Sequence, residues 1–232
     1  KKLALIVLGR QGTQLSETLT SGAVFSRWAS EWEWATVAPT LEWVMTTGNL
    51  LAFPDFTFQD APNADVLIFP GSLDYKDPQV HAWIKARWAT TPEIIIFSEG
   101  ARVVAPSGML DQVEVLPHPM VLKELRKLHK AVLWKEAPEV VHHHGKVWSG
   151  TGLASTLVGL ATWAQSHNLI WPSEFAAAVT PGSNVLPPVD IRRSDLARIF
   201  LESGFEWKRP IVGLFVPQST PELPLAFWLD SI

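Results

Sequence analysis

Ser98 stands where a hydroxyl can be made to react. It follows the apolar run Ile94-Ile95-Ile96-Phe97 and precedes Glu99-Gly100-Ala101 and the helix-prone Arg102-Val103-Val104-Ala105. A strand that turns sharply into a helix with a hydroxyl at the corner is the pattern of a nucleophile elbow: the side chain is pushed out of the sheet edge and the helix N-terminus lies behind it. Gly100 and Ala101 are small enough for the close backbone approach that such a corner needs. A second candidate is His142-His143-His144. Alternate residues of a strand share a face, so His142 and His144 could converge on a transition metal. No acidic or cysteine partner is evident nearby, and the reading adopted is a solvated turn before Gly145. Neither a metal nor a cofactor is expected.

The elements that must carry these residues alternate between strand-like and helix-like. Segments 3–8, 34–38, 65–69 and 94–97 read as strands, 43–53 as a hairpin around Thr46-Thr47-Gly48-Asn49, and 113–116, 131–134, 140–142 and 146–148 as short strands. Helices are expected over 16–29, with Ser16-Glu17-Thr18 as its cap, over 78–89 with Val80, Trp83, Ile84 and Trp88 on its apolar side, after the elbow, and over 121–129 and 152–165. This alternation predicts a three-layer α/β sandwich around a mostly parallel sheet, with ligands at the carboxyl ends of the strands. Ser98, Gly71 and the residues after Leu8 fall at such ends.

Composition narrows the function. The 232 residues carry 19 Lys and Arg against 23 Asp and Glu, a net charge of −4 with no long basic run, so nucleic acid is not an expected partner. No apolar run reaches the roughly 18 residues of a membrane span, and the start of the chain lacks a signal-peptide pattern, so a cytoplasmic protein is expected. Cysteine is absent, which removes thiol chemistry. Twelve tryptophans, two of them on the 78–89 segment, suggest core and contact surfaces.

Taken together, several segments resemble the ThiJ/PfpI family of the class I glutamine amidotransferase-like superfamily. They are Asn63-Ala64-Asp65-Val66-Leu67-Ile68-Phe69-Pro70-Gly71, Ile96-Phe97-Ser98-Glu99-Gly100-Ala101, Ser107-Gly108-Met109-Leu110-Asp111, Pro117-His118-Pro119 and Gly145-Lys146-Val147-Trp148-Ser149-Gly150-Thr151-Gly152. The stretch 37–71 looks most like the branch holding isocyanide hydratases and the sensing domains of AraC-type regulators. The resemblance implies a flavodoxin-like sandwich over 1–167. It puts Ser98 where the family has its nucleophilic cysteine, His118 as the neighbouring histidine and Glu17 as the acid on the first helix. Backbone N–H groups near Gly71-Ser72 and at Glu99 would serve as oxyanion donors. It also implies a homodimer and a small-molecule ligand or substrate.

A serine hydroxyl, unlike a thiol, must lose its proton to a base during attack. Three readings stay open: a serine hydrolase or hydratase acting on a small carbonyl, amide or isocyanide-like substrate, a binding or sensing pseudoenzyme, and a chain in which cysteine was replaced. The pseudoenzyme is preferred. Residues 168–232 depart from the family pattern, being rich in proline yet carrying apolar runs such as Ile211-Val212-Gly213-Leu214-Phe215-Val216. They are expected to pack on the domain or on a second subunit, with a short helix at 194–202.

Overall fold

The computed structural model describes residues 1–175 apart from 11, 48, 49, 137, 138 and 174. The expectations for 176–232, including the helix at 194–202, lie outside the described residues. Strand β1 (Lys2–Val7) pairs in parallel with β2 (Trp32–Ala38) on one side and β6 (Val66–Phe69) on the other. Beyond β6 come β7 (Glu93–Phe97) and β11 (Val147–Gly150), both parallel, and then β10 (Val141–His144), antiparallel to β11. At the opposite edge β5 (Phe56–Thr57) extends the sheet, giving seven strands in the order β10-β11-β7-β6-β1-β2-β5. The hairpin β3 (Val44–Met45) with β4 (Leu51–Ala52), and the pair β8 (Glu114–Val115) with β9 (Leu133–Trp134), stand apart as two small sheets.

The period of two in the central strands explains why both faces are covered. Leu5, Val7, Leu67, Phe69, Ile94 and Ile96 point into one core, shared with helix α2 (Pro78–Trp88), helix α3 (Gly100–Val104) and helix α4 (Pro119–Leu128). Ala4, Ile6, Val66, Ile68, Ile95 and Phe97 point into the other, under α1 (Leu15–Arg27) and α5 (Leu153–Ser166). A strand buried on both faces reads as a continuous apolar run, which is why β6 and β7 are visible in the sequence. The second core holds an aromatic cluster in which Phe25 lies 5.4 Å from Trp163 and 5.3 Å from Trp32. Residues after α5 stay on this face: the Trp28 indole donates to the Ile170 carbonyl at 2.8 Å, and Phe175 is buried with Leu169 and Trp171 beside it.

Some local expectations change. The α1 helix begins after Gln14, whose side chain makes no cap, while Ser16, Glu17 and Thr18 are buried rather than capping. Strand β10 includes His144, so the histidine run is an edge strand with its turn at Gly145, where φ is 62°. His142 does have acidic partners: Nδ1 meets Glu139 at 2.8 Å and Nε2 meets Glu114 at 2.9 Å. The carboxylates sit on opposite ring nitrogens and therefore do not converge on one point. No group of three or more ligand-type residues suited to a metal occurs among the described residues.

Candidate functional site

Chain order places the switch in winding between β1 and β6, and in a sheet of this kind the ligand crevice lies outside the carboxyl ends of the strands at that point. Register fixes the neighbours. Phe69 pairs with Ile96 and Gly150 with Phe97, so Pro70-Gly71 and Thr151-Gly152 flank the corner at Ser98.

Ser98 adopts φ 49°, the left-handed region that residues other than glycine rarely enter, and it is 5% exposed. Two hydrogen bonds hold it there: its N–H donates to the Gly150 carbonyl at 2.8 Å, and its carbonyl accepts the His118 N–H at 3.2 Å. The corner then enters α3 at Gly100, where a Cβ would lie 2.2 Å from the Phe69 carbonyl oxygen. Only glycine lets the helix start this close to β6. The Ser98 Oγ makes no hydrogen bond to any described residue.

Glu17 is fully buried on the first turn of α1 and reaches the corner through Gly71, whose N–H donates to Glu17 Oε2 at 2.7 Å. That donor is therefore already engaged. The Gly71 carbonyl accepts the Gln14 N–H at 2.8 Å, so α1 grips both sides of this glycine. Ser72 turns its hydroxyl toward Asp74, whose N–H it accepts at 3.2 Å, and toward Gly9. The Glu99 N–H lies 3.6 Å from where a Gly71 Cβ would be and donates to no described residue.

His118 occupies the N-cap of α4, and its Nδ1 accepts the Met120 N–H at 3.2 Å. The rest of the ring faces α5, with Nε2 3.6 Å from a would-be Gly152 Cβ. Burial of the imidazole lowers its pKa below the ordinary value, and the charge of Glu99 pulls the other way. No hydrogen bond joins the Ser98 and His118 side chains among the described residues. The backbone brings Ser98, Gly71, Glu99 and His118 together, and Glu17 joins them by way of Gly71.

Two residues at the site escaped sequence reading. Arg102, one turn beyond Ser98, pairs with Glu99 at 3.5 Å and Glu124 at 2.7 Å and stacks 4.1 Å over Tyr75. Gln14 places its Oε1 2.8 Å from a would-be Gly71 Cβ. Neither belongs to a motif. An arginine three residues after an acid is a common helix-surface pair, and nothing in the chain near Gln14 points to Gly71.

No protein-family model matches the sequence, and no curated protein does. Solved structures do. A ThiJ/PfpI family protein from Pseudomonas syringae is 20% identical with a TM-score of 0.66, the match covering 88% of this chain and 87% of that one. A cysteine-to-alanine mutant of a DJ-1 superfamily protein from Salmonella typhimurium is 20% identical with a TM-score of 0.60, over 73% of this chain and 92% of that one. A ThiJ/PfpI domain protein from Brachyspira murdochii is 15% identical with a TM-score of 0.61, over 73% and 100%. At these identities the likeness is one of fold: the three-layer sandwich of DJ-1 and ThiJ/PfpI proteins, with its mostly parallel sheet.

Proposed function

We propose that this chain is a ThiJ/PfpI-like protein without the catalytic cysteine that binds or senses a small molecule and does not turn it over. The observation that carries this reading is the use of His118 Nδ1 as a helix cap. With Nδ1 accepting a backbone N–H, the neutral ring keeps its proton on Nε2, and the nitrogen left for the site is a donor rather than a base. Burial keeps the ring neutral near pH 7. No other base is hydrogen-bonded to Ser98 Oγ among the described residues. A hydroxyl, an Nε2–H and the Glu99 N–H then form a set of donors for a ligand.

One observation favours a serine hydrolase or hydratase instead. Backbone strain of the kind seen at Ser98 clusters at working active sites, and φ is 49°. A fluorophosphonate probe followed by mass spectrometry separates the two readings. The expected result is no adduct on Ser98 under conditions that label a control serine hydrolase. A stoichiometric adduct lost in Ser98→Ala would overturn the binding reading.

The resemblance of 37–71 to isocyanide hydratases and AraC-type sensing domains supports a small polar metabolite as the ligand. The same proposal takes the protein to be cytoplasmic, to work as a homodimer and to need no cofactor, metal or nucleic acid. Among the described residues no helix is long and apolar enough to cross a membrane. Trp43, at 64% exposure, packs edge-on against the exposed Phe53, an apolar surface that supports self-association. Analytical ultracentrifugation checks it, and a monomer mass at every concentration would refute the dimer.

A further inference from the structure

We infer that Gln14 is a ligand-contacting residue of this site, and that the group it recognises is uncharged and carries a hydrogen-bond donor and acceptor side by side, as a primary amide, a lactam or a urea does. The inference rests on the binding reading above and adds to it a residue and a ligand class.

The backbone of Gln14 is fixed and its carboxamide is not. Its N–H donates to the Gly71 carbonyl at 2.8 Å, and its carbonyl accepts the Thr18 N–H at 3.2 Å and the Thr18 hydroxyl at 2.9 Å. The next residue is pinned as well, because the Leu15 N–H donates to Thr47 Oγ1 at 2.9 Å. The half-buried side chain then lies over the Cα of Gly71 and makes no hydrogen bond to a described residue. A polar amide held in a cleft without a partner loses part of its hydration for nothing unless something else supplies the bond. A Cβ on Gly71 would lie 2.8 Å from Gln14 Oε1 and 3.6 Å from the Glu99 backbone nitrogen. An acceptor and a backbone donor thus lie within 4 Å of one point beside Gly71, and the Gln14 NH2 supplies a second donor.

Charge selects against anions. Glu99 places a carboxylate at this end of the crevice. The nearby guanidinium of Arg102 is committed to Glu99 and Glu124, and that of Arg10 is 3.5 Å from Asp77 and donates to Gln79. An entering carboxylate or phosphate would meet the Glu99 carboxylate while the Arg102 and Arg10 guanidiniums are already engaged, a cost that a neutral amide avoids.

The test is NMR titration of nitrogen-labelled protein with acetamide and, separately, acetate. The Gln14 NH2 pair is assigned by its loss in Gln14→Met, and the Ser98 backbone amide serves as an independent reporter. Acetamide should shift both saturably, acetate should shift neither, and Gln14→Met should weaken acetamide binding roughly three- to tenfold, the value of about one hydrogen bond. Gly71→Ala, whose methyl group takes the place of the Gln14 amide, should weaken it as much. Shifts at Ser98 with the Gln14 pair unmoved would overturn the role of Gln14 and leave the pocket reading standing. Acetate binding as tightly as acetamide would overturn the ligand class. No shift at either residue with either probe would overturn both the inference and the pocket reading.

Discussion

The Glu17 carboxylate accepts the Gly71 N–H at 2.7 Å across 54 residues of sequence, and both groups are buried. This bond ties the first helix to the loop after β6 beside the elbow. A buried N–H left without its acceptor costs about 1–3 kcal/mol. Glu17→Ala should therefore lower stability by about that amount in urea denaturation. Glu17→Gln keeps an acceptor oxygen and should lose less than half as much. Equal losses would mean that the carboxylate matters here for something other than accepting this bond.

His118 makes stability depend on pH in a defined direction. Burial lowers its pKa in the folded chain, so the unfolded chain takes up the proton first as pH falls below the ordinary value near 6.5. In that window the unfolded state binds more protons, and stability declines as pH falls toward the folded pKa; above about pH 7 both states are neutral and the contribution is flat. Protonation also removes the acceptor that caps α4. Asparagine is a good N-cap and does not titrate, so His118→Asn should hold the stability of the parent near pH 7.5 and flatten the decline between pH 7 and 5. His118→Ala should cost about 1 kcal/mol at pH 7.5. Denaturation midpoints at the two pH values check both.

Two glycines test the packing of the elbow. At Gly100 an added methyl group would sit 2.2 Å from the Phe69 carbonyl oxygen, a backbone atom that cannot step aside. Gly100→Ala should destabilise by more than about 3 kcal/mol or leave the chain insoluble. Gly108 meets nothing within 4 Å but has φ 77°, so Gly108→Ala should cost only the left-handed penalty of about 1 kcal/mol. Thermal unfolding of the pair would show whether close approach, rather than φ, governs this region.

The sequence makes the sheet legible where burial is two-sided and silent where contact crosses the chain. Val66 to Phe69 and Ile94 to Phe97 are buried at every position, so their runs announce strands and locate Ser98 at an end. Strand β5 has two half-buried residues and no periodicity to betray it. Ser16-Glu17-Thr18 has the composition of a cap, yet the helix starts earlier and those residues face inward, because the bond from Gly71 outweighs local capping preference. His142 finds Glu114 on β8, 28 residues away, a partner set by the packing of β8 against β10. Gln14 is invisible for the same reason: its place is decided by the side chain that Gly71 lacks.

The strain at Ser98 gives a prediction with opposite signs for stability and function. A residue with a Cβ held in the left-handed region costs about 1–2 kcal/mol, and glycine does not bear that cost. The two backbone bonds to Gly150 and His118 hold the corner whatever the side chain, so substitution should not move it. Ser98→Gly should therefore raise the unfolding free energy by about 1 kcal/mol, since the greater freedom of an unfolded glycine offsets part of the relief. Ser98→Ala keeps the Cβ and should leave stability within about 0.5 kcal/mol of the parent. Both lose the hydroxyl and should weaken acetamide binding alike. A stabilised Ser98→Gly with weakened binding would show that the corner keeps its serine for what the hydroxyl contacts; a destabilised Ser98→Gly would mean that the side chain itself supports the turn.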